Sequence, residues 1–276
     1  MKLLTLNTHS WLEDNQDEKL HQLAMKIHDE QFDVIALQEI NQTAESSVLT
    51  SPFHFCEPTM TKTTIKEDNF ALLLVQYLHD HYQDDYYWSW AYNHRGYDKY
   101  DEGVALLSKH PFQPFTYHLS KETNPDDYRT RIAIGASMTI QQQTYCFMSL
   151  HTSWWLSPEG TVSFPYEYDR LNLLQKKIDD PIILMGDFNN PSQKRDEGYD
   201  LLMTTWHDSY QLTTAHDGCY TMGGHIAGWE NQKEALRIDF ILMSQSLNVE
   251  KTQVFFDGRK EAPVSDHFAY SVIIND

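Results

Sequence analysis

The sequence predicts an α/β fold in which two mixed sheets stack on each other and helices cover the outside. Three observations lead there. Nine short runs of mostly apolar residues have strand length, and several lack polar interruptions, as strands buried on both faces do. Three segments only carry helical periodicity. The remaining strands follow one another without helices, so antiparallel pairing must mix with parallel.

The first run, residues 3–6, leads to a helix with Leu20, Leu23, Ala24 and Ile27 on one face, and then to a strand at 34–37. Strand, helix, strand is a crossover unit. Asn15 followed by Glu18 reads as a capping box for that helix. A second helix is predicted over 69–79 and a third over 166–178. The other strands are predicted at 104–107, 132–138, 145–150, 182–185, 238–243, 249–256 and 268–274. Long connections fall at 43–67, 92–102, 153–165 and 216–234, and their Trp and Tyr content argues against disorder. With no linker in sight, residues 1–276 are expected to form one catalytic domain.

Lys and Arg total 21 against 40 for Asp and Glu, a formal charge of -19. The mean field therefore repels nucleic acid and anionic membranes, and neither is expected as a partner. No run approaches membrane-spanning length, and the N-terminus lacks the apolar length of a secretory signal. Cys56, Cys146 and Cys219 are odd in number and unpaired in spacing, which fits a reducing cytoplasm.

Polar residues able to bind metal or move protons stand at the ends of the apolar runs. Asn7 follows the first, Gln38-Glu39 the second, His151 the run at 145–150, and Asp187 with Asn189 the run at 182–185. Arg237-Ile238-Asp239 heads another strand, and Asp266-His267 precedes the last. Strand ends at one edge of an α/β sheet share a crevice, so these residues can converge. The set suits Mg²⁺-assisted phosphate chemistry, with Mn²⁺ as the alternative cation. Such ions take oxygen ligands and one or two carboxylates, here Glu39 supported by Asn7 and Asp266. Asp187 would position or deprotonate a water and Asn189 would donate to phosphoryl oxygens. His267, oriented by Asp239, and His151 would hydrogen-bond the phosphate. Taken singly, each has a plainer reading as a turn residue, a solvated side chain or a surface ion pair.

Asn7, Gln38-Glu39, Gly186-Asp187-Phe188-Asn189, Arg237-Ile238-Asp239 and Ser265-Asp266-His267, in this order, resemble the motif set of the endonuclease/exonuclease/phosphatase family. The resemblance covers essentially the whole chain. It implies a four-layer α/β/β/α sandwich with a Mg²⁺-dependent site where the sheets meet. It also implies that Glu39 is the principal metal ligand, Asp187 the water activator, and Asp239 with His267 a pair. His9 departs from the pattern, because members acting on abasic DNA tend to carry a carboxylate there.

Substrate is sought in the loops. Residues 90–100, 151–155 and 228–231 set Trp and Tyr beside Asn, Asp and Glu, a combination that suits a sugar ring. Asn93, Tyr97, Trp154 and Trp229 are the candidate contacts. Arg129 and Arg131, two apart at the entry to a strand, are expected to share one side and offer a cation to phosphate. These loops resemble a bacterial cytoplasmic branch of the family that includes maltose 6'-phosphate phosphatase. A small phosphorylated sugar, most of all a disaccharide phosphate, is the expected substrate. The rival classes are a metal-dependent phosphodiesterase, of nuclease or phospholipid type, and a non-catalytic carbohydrate-binding protein.

Overall fold

The computed structural model describes residues 1–57, 64–157, 159–224, 229 and 232–275. The chain passes through β1 (Lys2–Asn7), α1 (Gln16–Glu30), β2 (Val34–Thr43), α2 (Phe70–Tyr82), β3 (Tyr87–Gly96), β4 (Tyr100–Ser108), β5 (Phe115–His118), β6 (Ile132–Ile140) and β7 (Gln143–His151). It continues through α3 (Phe164–Gln175), β8 (Ile182–Asp187), α4 (Gly198–Leu202), β9 (His207–Asp208), β10 (His216–Asp217), β11 (Asp239–Met243), β12 (Asn248–Phe255) and β13 (Ala269–Asn275). One sheet of seven strands has the order β10-β12-β13-β1-β2-β4-β3, and a second of six has the order β5-β6-β7-β8-β11-β9. Each is mixed, with β1 parallel to β2 and β7 parallel to β8 near the middle.

Period-two alternation explains the uninterrupted apolar runs. Leu3, Val34, Ala36, Ile183, Met185 and Phe147 point between the sheets. Their neighbours Leu4, Leu6, Ile35 and Leu37 point outward, where Leu20, Leu23, Ala24 and Ile27 of α1 cover them. On the other flank, Leu171 and Leu174 of α3 pack on Met148, Leu150 and Leu184. Helix, sheet, sheet, helix is thus the predicted sandwich, and no helix among the described residues is long and apolar enough to cross a membrane.

The structure departs from expectation at several places. The capping box does not form: Asn15 has left-handed backbone (φ 55°) and its side chain accepts no cap hydrogen bond. An N-cap carboxamide reaches the first turn's N–H groups from extended backbone. Asn69 does so for α2, its Oδ1 accepting from the N–H groups of Ala71 and Leu72. The connection predicted at 92–102 is instead a hairpin, because β3 and β4 meet through the three-residue turn Tyr97-Asp98-Lys99. Its strands were hidden by a bulge between Tyr92 and His94 and by the buried polar pair His94 and Glu102, which disturb the alternation. Short β5, α4, β9 and β10 also lie outside the predicted runs. Within the aromatic segment 228–231, only Trp229 lies among the described residues.

Candidate active site

The inward-facing stripes of four strands end in polar groups at one edge. Leu3 and Thr5 lead to Asn7, Phe147 and Ser149 to His151, Ile183 and Met185 to Asp187, and Met243 and Ile241 to Asp239. Register aligns the last three, since Asp187 pairs with His151 across β7 and with Asp239 across β11. Asn7 joins the sheets, its Nδ2 donating to Glu39 Oε1 (2.8 Å) and Asp187 Oδ2 (3.0 Å). Glu39 itself sits in a bulge of β2, between Leu37 and Ile40, with φ 51°. The extra residue turns its carboxylate into the site. Asn189 is also left-handed (φ 51°), and strained residues of this kind gather at functional sites.

His267 Nδ1 lies 3.0 Å from Asp239 Oδ2, and its Nε2 lies 3.7 Å from Asp187 Oδ2. Burial disfavours its charge, but Asp239 and Asp187 hold its pKa well above the ordinary imidazole value. Asp187 is pushed up to about 6, by burial first and by Asp239, against the pull of His267 and Asn7. His151 is driven well below its usual value by burial and by Arg131, so it is neutral. Asn189 Nδ2 donates to His151 Nε2 (2.9 Å) and Thr152 O (3.1 Å), while its Oδ1 accepts from Trp229 Nε1 (3.3 Å). Both Asn189 N–H groups therefore already have acceptors, and the His151 proton resides on Nδ1.

Glu39, His151, Asp187, Asn189 and His267 line a cavity of about 310 Å³ that also includes Asp266, Tyr97, Trp154 and Arg131, while Asn7 and Asp239 lie behind the lining, Asn7 bonded to Glu39 and Asp187 and Asp239 to His267. Arg131 is 3% exposed, and neither its Nε nor its Nη1 has a partner among the described residues. Two of the candidate contacts are elsewhere. Arg129 does not share a side with Arg131: both precede β6 in irregular chain, where strand alternation does not apply, and Arg129 is tied to Asp127 (2.9 Å). Asn93 is buried, accepts from the Ile132 N–H (3.3 Å), and lines a neighbouring cavity. Trp229 reaches the site through Asn189 and lies outside the cavity lining. Sequence reasoning missed His94, Glu102 and Tyr128, which do line it. No strand-end pattern marks them.

The residues present fit a hard divalent cation. Burial and the nearby carboxylates of Glu102 and Asp266 push Glu39 up to about 8, and no Lys or Arg pairs with it among the described residues. Carboxylates crowded in this way are relieved by a cation with oxygen preference. His9 shares the cluster: burial disfavours its charge, yet Glu13, Asp266 and Glu39 raise it to about 9. Asn7 as placed points Nδ2 at Glu39 and gives Oδ1 to the His9 N–H (3.2 Å), so its amide must turn to serve as a ligand. The ligating atoms of Asp187, Asp239 and His267 also converge closely enough for a metal.

The profile of the endonuclease/exonuclease/phosphatase family matches residues 4–267. Among solved structures, a family protein from Leptotrichia buccalis aligns over 100% of both chains at 29% identity and TM-score 0.87. A mannosyl-6-phosphatase from Bacteroides thetaiotaomicron aligns over 100% of both chains at 17% identity and TM-score 0.66. A 3' phosphatase from Neisseria, bound to a product DNA hairpin, aligns at 19% identity, TM-score 0.61 and 100% coverage of both. No match was found among curated proteins. With the family profile spanning nearly the whole chain and its motif residues gathered at one sheet edge, this protein belongs to the endonuclease/exonuclease/phosphatase family of metal-dependent phosphoesterases.

Proposed function

We propose that the protein is a Mg²⁺-dependent phosphomonoesterase that releases inorganic phosphate from a small phosphorylated sugar, with a disaccharide phosphate as the leading substrate. The observation that carries this reading is Arg131. A buried guanidinium with two of its three nitrogens unpartnered and no ion pair among the described residues is costly, and it sits in the same small cavity as Asp187 and His267. A terminal phosphate supplies the missing anion and accepts from the guanidinium fork. A polyanion would meet a chain of charge -19 with no other unpaired cation in that cavity's lining, since Arg95 pairs with Asp101 (3.2 Å). The mannosyl-6-phosphatase neighbour is compatible with a sugar substrate.

In this reading Asp187 accepts the proton of the attacking water; at about 6 its pKa leaves it ionised at neutral pH yet basic enough for that task. The His267 imidazolium, held by Asp239, donates to a phosphoryl oxygen as charge develops. Arg131 fixes the remaining phosphate oxygens. Glu39 and Asp266 would hold the divalent cation, which supplies charge neutralisation at the phosphoryl group. The test is a phosphate-release screen over sugar phosphates, nucleotides and plasmid DNA, with and without Mg²⁺. Release from sugar phosphates at the highest kcat/KM is expected. Plasmid nicking at enzyme levels that spare sugar phosphates would move the protein to the phosphodiesterase class. Tight sugar binding without phosphate release would make it a carbohydrate-binding protein.

A further inference from the structure

Outside the catalytic cavity lies a second one, of about 400 Å³, and the two share Arg95, Tyr97 and Tyr128. The inner cavity alone stands at the low end of the ~300–1,000 Å³ typical of small-molecule sites, whereas a substrate larger than one ring needs both. Arg131 sets the direction. Its buried guanidinium, with Nε and Nη1 unpartnered, draws the phosphate inward, so whatever the phosphate is attached to must leave through the shared mouth. At that mouth stand two aromatic rings, Tyr97 at 63% exposure and Tyr128 at 37%. Tyr97 is a bulky residue in left-handed backbone (φ 52°) beside Asp98 (φ 54°), positions that Asn and Gly usually fill. Such placement is strained and presents a large ring where a small residue would serve the turn better.

The chemistry of the outer walls is selective. Asp98, Asp126 and Asp127 line it with Arg95 and Asn124; Arg95 is paired with Asp101 and Asp127 with Arg129, which leaves Asp98 and Asp126 without a cation partner among the described residues. Asp127 stays ionised: its bond to Arg129 keeps its carboxyl low, at about 2. Tyr128 holds its hydroxyl on Glu159 (2.8 Å), which adds a further carboxylate to the rim. Carboxylates and an amide accept from hydroxyl groups, aromatic faces cover the apolar face of a ring, and the surplus negative charge repels an anionic group.

We propose that this outer cavity is the leaving-group subsite, and that it takes an uncharged polyhydroxylated ring seated between Tyr97 and Tyr128. The proposal rests on the phosphomonoesterase reading and adds to it the residues that choose the leaving group. Steady-state kinetics on a disaccharide 6'-phosphate and a monosaccharide 6-phosphate, with inorganic phosphate as product inhibitor, test it. In Tyr128→Ala the KM for the disaccharide phosphate should rise about tenfold, while the inhibition constant of inorganic phosphate stays within about twofold. Asp126→Lys should lower the KM for a 5'-phosphorylated dinucleotide several-fold. If the wild-type protein hydrolyses the disaccharide phosphate and Tyr128→Ala leaves its KM unchanged, the subsite is wrong and the proposed function stands. Equal weakening of inorganic phosphate and disaccharide phosphate would show a structural role for Tyr128 and overturn the subsite too. An unaltered dinucleotide KM in Asp126→Lys would overturn the charge selection. If p-nitrophenyl phosphate is hydrolysed but no sugar phosphate is, the proposed function falls and the subsite with it.

Discussion

Asp187 is held from several sides of the site. It receives Asn7 Nδ2, faces His151 and His267, and caps the Asn189 N–H through Oδ1 at 2.8 Å. Asp187→Asn keeps the shape and removes the proton acceptor. Phosphate release should fall by ~10²–10⁴-fold with the melting temperature little changed, as stopped assays and thermal melts can establish. Near-normal turnover would remove Asp187 from the reaction. The residue was legible in the sequence because an apolar run that ends in Gly186-Asp187 has only two faces, and the parity of Ile183 and Met185 puts Asp187 inward. Arg129 and Arg131 were not separable by the same logic, since neither belongs to a strand.

At the scale of elements, two packing features position that residue. β8 passes close to β7 at Gly186, where a Cβ would lie 1.9 Å from Leu150 O. Gly186→Ala should therefore destabilise the fold by roughly 3 kcal/mol or more, read in denaturant melts, because backbone rather than a flexible side chain must yield. Helix α3 supplies the second feature. Its Glu167 is buried and accepts from the Ser153 N–H (2.8 Å) and Oγ (2.6 Å), which anchors the turn leading to Trp154. Burial raises Glu167 from 4.5 to about 7 despite those bonds and Arg131. A folded value above the unfolded one means that the native state binds the proton more tightly. The stability this contributes is complete below pH 4.5 and is lost as pH rises through 7. Two and a half units make it ~3 kcal/mol. Glu167→Gln should flatten stability between pH 4.5 and 7 in urea titrations; an unchanged slope would place the titration elsewhere.

For the whole molecule, acidity and cation demand go together. The carboxylates of Glu39, Glu102 and Asp266 repel one another at the sheet edge, and a bound cation stabilises the native state by mass action. Mg²⁺ or Mn²⁺ at a hundredfold excess over Kd should add about 2.7 kcal/mol, visible as a raised melting temperature that Glu39→Gln abolishes. A wild-type melt indifferent to both ions would remove the cation from this cluster. The sequence by itself determined the layered α/β architecture, the strand ends that carry Asn7, His151, Asp187 and Asp239, and the acidity that disfavours polyanions. Those follow from period-two alternation and composition, which are local properties of the chain. Tertiary structure alone decided that a bulge aims Glu39, that Arg131 is left unpaired while Arg129 is not, and that Tyr97 and Tyr128 meet at one mouth. These depend on the paths of segments far apart in sequence, and on which partner each charge finds there, so no short window of residues contains them.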